Sequence, residues 1–191
     1  SLDVKSLLPQ TSYPLATDDS ATKVLDCAAI YIPEIDMPHI RLMTLTSINM
    51  GGGALTQMAL MGNGWLTYST RDDFFLAQPS SGWWMSRAQS EQTAIHHFSL
   101  TEAKYLSSAL VPGHINDSFS MSFREGDLRV VTTSRVNSET AGFTSTNQLL
   151  VLRNDNSGGM EVRGAVREFA TGERIFSARF FHDKAFVVTF R

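Results

Sequence analysis

The residues able to do chemistry are few and scattered. Histidines stand at His39, His96, His97, His114 and His182. His96 and His97 are adjacent in "TAIHHFSL" (93–100), whose β-branched and aromatic content reads as a strand. Neighbours on a strand point to opposite faces, so the two imidazoles do not chelate one ion together. The other three fall in turns or a Pro-flanked loop, and their spacing matches no zinc ligand set, so no metal is expected. Asp72, Asp73, Glu91, Asp117, Glu125 and Asp183 supply an acid–base pair only if the fold brings two of them together. "NDNSGGMEV" (154–162) lacks the alternating carboxylates of a calcium loop and reads as a Gly-rich hairpin. "GGG" (51–53) is not followed by a helix with Lys-Ser or Lys-Thr, so it is no phosphate loop. The chain contains neither G-x-S-x-G nor H-E-x-x-H, and no cofactor is expected.

The most suggestive stretch is "SGWWMSR" (81–87), with two Trp and an Arg in a loop. Those residue types are enriched where proteins grip ligands and partners, which makes Trp83, Trp84 and Arg87 the candidate binding residues. The competing use is packing, one indole on the core and the other along a sheet edge. Cys27, the single cysteine, has no disulfide or zinc partner within the chain and reads as a small buried apolar side chain in a strand. "NDS" (116–118) fits a glycosylation sequon, a tripeptide that chance produces often.

Composition narrows the partners. The formal charge is −3 and the 16 Lys and Arg are unclustered, so there is no footprint for nucleic acid or an acidic membrane. "SLDVKSLLPQTSYP" does not have the form of a signal peptide, and no apolar run approaches the ~20 residues of a spanning helix. Neither point excludes export with a signal or anchor outside this chain.

These residues must be positioned by strands. Residues 1–22, with two prolines among Ser, Thr and Asp, read as a linker or strap, and residues 23–191 as the folded domain. Beyond Val24, short runs rich in β-branched and aromatic residues recur between turn clusters, and no helical period is sustained. Internal repetition sharpens this all-β reading. "SFSMSFREGDLRVVTT" (118–133) lies without a gap on "IFSARFFHDKAFVVTF" (175–190), 57 residues on. A weaker third copy, "LTQMALMGNGWLTYST", sets the turn Gly62-Asn63-Gly64 under Arg124 to Asp127. Each unit is expected to hold four antiparallel strands, with long loops at 79–92 and 135–146 in equivalent places. "LRVVTT" and "LLVLR" are apolar on both faces, as sheets covered on both sides must be. The expected fold is a β-propeller segment of about three four-stranded blades, an incomplete ring, since propellers use at least four.

"TAIHHFSL…YLSSALVPGHINDSFSMSFREGDLRVVTT" and "ATGERIFSARFFHDKAFVVTFR" resemble a family of uncharacterised secreted bacterial proteins containing a β-propeller domain distantly related to the WD40 propellers. The likeness is close over residues 55–191 and implies export and a domain continuing past "VVTFR". It carries no catalytic residues. Residues and resemblance together point to a binding or scaffolding module at the bacterial cell envelope. It would hold a protein or glycan on the long-loop face, and the sequence identifies no catalytic chemistry in it. The alternative is an extracytoplasmic hydrolase or lyase with an acidic/His site in the channel. The last strand, residues 185–191, is expected to pair through its open edge with another segment or a second copy.

Overall fold

Apolar side chains on both faces of a strand require a partner sheet on each side, and the fold satisfies that demand by stacking. The structure, a computed structural model, describes residues 8–12, 22–33, 41–48, 50, 55–80, 91–138 and 142–191. β1 (Gln10–Ser12) and β2 (Thr22–Val24) form a short antiparallel pair, so part of the segment read as a strap is strand. β3 (Ile30–Tyr31), β4 (Arg41–Ile48) and β5 (Leu55–Gly62) form a three-stranded sheet in the order β3-β5-β4. Two four-stranded antiparallel meanders follow. The first blade is β6 (Leu66–Ser69), β7 (Asp73–Pro79), β8 (Gln92–Ser99) and β9 (Lys104–Pro112). The second blade is β10 (Met121–Arg124), β11 (Asp127–Ser138), β12 (Gly142–Asn154) and β13 (Met160–Phe169). β14 (Arg174–Phe181) and β15 (Lys184–Phe190) form a final hairpin. This is the all-β, incomplete propeller expected from the sequence, with blade-like sheets and, among the described residues, no closed barrel.

Strand alternation sends successive side chains to successive interfaces. On β7, Leu76 joins Met58, Leu60 and Phe98 between the three-stranded sheet and the first blade. Its neighbours Phe75 and Ala77 face the other way, joining Ile95, Val130, Leu150 and Leu152 between the two blades. On β11, Val130 serves that interface while Val131 turns to Ile175 and Ala178 on the final hairpin. Phe75, Ile95 and Val130 are completely buried, each contributing about 1.5–3 kcal/mol of transfer free energy.

Three expectations are corrected. Gly62-Asn63-Gly64 is not a hairpin turn within a blade: Leu55–Gly62 pairs with β4 and β3, and 63–65 leads into the first blade. The true counterpart of the β10–β11 hairpin is β6–β7, turning through Thr70 to Asp72, a turn without glycine. The stretch 135–146 is largely ladder, with Arg135 opposite Ser145 and Ser138 opposite Gly142; its Ser, Thr and Asn pair across a long two-stranded extension. Cys27 is exposed in a single 3-10 turn capped by Asp26, because the chain leaves the strand direction at that cap.

Candidate functional site

The meander order places the connections β5–β6, β7–β8, β9–β10, β11–β12 and β13–β14 at one end of the stack, the loop end. The turns β6–β7, β8–β9, β10–β11, β12–β13 and β14–β15 lie at the other. Titratable groups gather at both ends.

At the turn end, His97 is 2 % exposed and faces the second blade. Asp73 sits diagonally across the β7–β8 ladder on the same face, and its Oδ1 accepts from His97 Nε2 at 2.7 Å. With the proton on Nε2, Nδ1 is an acceptor, and Asn154 Nδ2 of the second blade donates to it at 3.1 Å. Asn154 Oδ1 accepts from Ser107 Oγ at 2.5 Å. Phe75 stacks on the imidazole at 4.2 Å and Phe123 leans on it at 5.4 Å. Both nitrogens and one ring face are thus committed to protein. This Asp73–His97–Asn154–Ser107 chain joins the blades rather than presenting a base to solvent.

His96 faces the three-stranded sheet, as expected for adjacent histidines on one strand. It is fully buried, its Nδ1 lies 3.0 Å from the Tyr105 hydroxyl, and Nε2 has no hydrogen-bond partner among the described residues. Burial lowers its pKa to about 4, so the ring is neutral at pH 7. Burial also pushes the Tyr105 hydroxyl upward, partly offset by a hydrogen bond with Ser108.

At the loop end the groups are accessible. Glu91 immediately precedes β8 and His114 follows β9, and the register of those strands brings Glu91 Oε2 to 3.1 Å from His114 Nδ1. Gly113, between them, has φ +82° and donates its N–H to Glu91 O. His114 also exchanges two backbone hydrogen bonds with Thr133 of the second blade. Trp65, 70 % exposed, shares a shallow depression with Pro79, Thr93, His114 and Ile115. The β7–β8 connection is anchored beside it, since Ser80 N–H donates to Gln92 O. Trp83, Trp84 and Arg87 belong to that connection and lie outside the described residues, as do His39 and the triple glycine.

Of the remaining candidates, Asp117, Glu125 and the 154–162 stretch have structural roles. Asp117 Oδ1 caps the turn 118–120 through Ser120, and Glu125 pairs at the surface with Arg124. "NDNSGGMEV" is the β12–β13 hairpin, in which Asp155 accepts from Ser157 and Gly159, and these bonds hold its carboxyl below the usual range. Among the described residues no group of three or more His, Cys, Asp or Glu is placed to hold a metal ion. No helix among them is long and apolar enough to cross a membrane.

The Glu91–His114 and Asp73–His97 pairs and the exposure of Trp65 escape a reading of residue types alone. The hairpin register, once known, yields both pairs, because residues flanking paired strand ends and diagonal neighbours on one face must meet. No curated protein and no solved structure matches the chain. The family model described as "Beta propeller domain" matches residues 2–191, nearly the whole length. Stacked four-stranded meanders and this match agree, and the chain belongs to the β-propeller domain family.

Proposed function

We propose that this chain is a binding module that holds a protein or glycan on its loop end, with Trp65, His114 and Glu91 flanking the anchored connection that carries Trp83, Trp84 and Arg87. The observation that carries this reading is the 70 % exposure of Trp65 beside an accessible His–carboxylate pair, while the turn-end histidine is sealed between blades. A solvent-exposed indole next to polar groups that fix orientation is the chemistry of a contact patch. Kinship to WD40 propellers, export to a bacterial envelope, and pairing of the β15 edge with another chain belong to the same reading. They rest on the sequence resemblance and, for the edge, on "AFVVTF" having β14 on one side and no strand on the other among the described residues.

Immobilised-glycan and displayed-peptide panels, read with the wild type, Trp65→Ala and Trp83→Ala/Trp84→Ala, test the proposal. Ligands that select on the wild type and lose ~10-fold or more in affinity on the loop-end variants support it. Ligands indifferent to all three substitutions refute it, as does turnover of a glycoside or ester reporter that Glu91→Gln abolishes.

A further inference from the structure

A second concavity lies on the far side of Trp65, between the three-stranded sheet and the first blade. It measures about 240 Å³, and its walls include Met43, Leu45, Met58, Leu60, Phe74 and Phe98. Among the described residues no charged side chain lines it, and the hydroxyl-bearing residues of its lining are Thr44 and Thr67, both exposed. The space has a definite origin. Gly64 N–H donates to Met43 Sδ at 3.2 Å, and a Cβ on Gly64 would lie 2.8 Å from Leu76 Cγ. The link into β6 is therefore drawn tightly against Leu76 at one end, while the two sheets stand apart alongside it.

We propose that this inter-sheet crevice binds a small uncharged aromatic molecule of about ten heavy atoms. An apolar cavity of ~150 Å³ stays dry and takes up benzene, so one larger by more than half suits a fused bicyclic ring. Two methionines in the wall supply polarisable, adjustable contacts of the kind that favour aromatic guests, and Phe74 and Phe98 add aromatic contacts. The uncharged lining disfavours an ionised ligand, whose desolvation nothing there would offset. The site shares only Trp65 with the loop-end reading and does not involve Trp83 or Trp84.

Indole and its anionic counterpart indole-3-carboxylate are the probes, titrated into the intact chain and followed by amide chemical shifts. Indole is expected to saturate with a Kd of ~1 mM or tighter, shifting amides of 43–45, 58–60 and 64–67. The carboxylate should bind at least ~10-fold more weakly. Thr67 is exposed and, opposite Leu76, points toward the crevice. Thr67→Phe should therefore abolish indole binding without lowering Tm, and Leu45→Phe, filling the opposite wall, serves as a second occluding variant. Trp83→Ala/Trp84→Ala should leave indole binding intact even if it removes every loop-end ligand. The proposal is overturned if indole gives no saturable shift up to 10 mM, if both occluding variants bind it as well as the wild type, or if the shifts centre on the exposed face of β14–β15.

Discussion

The neutral, fully buried His96 makes the fold acid-sensitive by a calculable amount. Its pKa is about 4 in the folded chain against about 6.5 when unfolded. Between those values the unfolded chain binds the extra proton, so stability rises with pH there, is complete above about pH 6.5, and is lost as pH falls toward 4. The full swing, about 2.5 pKa units, amounts to ~3 kcal/mol, and linkage places ~2 kcal/mol of it between pH 7.5 and pH 5. Desolvation drives this, for among the described residues Nε2 has no hydrogen-bond partner and the ring's hydrogen bond is to Tyr105. Urea unfolding of the wild type and of His96→Leu at both pH values isolates the contribution, because every other titrating group is common to the two proteins. The variant should lose ~2 kcal/mol less than the wild type on acidification. Equal losses would refute the assignment of His96 as a buried neutral ring, whatever the absolute stability of the variant.

Two glycines in the left-handed region give a matched comparison. Gly113→Ala would place a methyl 2.4 Å from Thr133 O at φ +82°, so it should cost more than ~3 kcal/mol in urea titrations, combining overpacking with backbone strain. Gly126→Ala, at φ +84° with open space around it, should cost only ~1 kcal/mol; equal effects at the two sites would contradict the close approach of the blades at Gly113. Asn154→Ala removes the partner of both His97 Nδ1 and Ser107 Oγ, and a loss of ~1–3 kcal/mol is expected. A double-mutant cycle with Ser107→Ala should show coupling, and strict additivity would mean the inter-blade chain does not act as a unit.

The strands were legible because their chemistry repeats. The alignment of 118–133 on 175–190 captured a real equivalence: both copies turn through two residues, Glu125-Gly126 and His182-Asp183, between paired strands. The third copy was misplaced because Gly62-Asn63-Gly64 has ideal turn chemistry but links two sheets, whereas the true hairpin turns on Thr70 and Asp73 side-chain bonds. The Ser/Thr/Asn-rich stretch 135–146 looked like loop by composition, yet cross-strand pairing overrode composition. The functional groups were least legible, for Asp73 and His97 lie 24 residues apart and Glu91 and His114 lie 23 apart. Only strand register reveals that they touch.

The inter-blade hydrogen bonds have a consequence for how the sheets are indexed. Apolar contact is non-directional, so two flat greasy faces stacked alone would tolerate sliding by a residue or two. Here the two blades are pinned at the turn end through His97 and Asn154, and at the loop end through His114–Thr133 and Gln148 Nε2 to Pro112 O. Any slip that preserved the oily middle would break both sets of pins at once. The polar ends therefore act as a vernier, allowing one longitudinal alignment of blade on blade and so fixing the relative height of the loops from neighbouring blades.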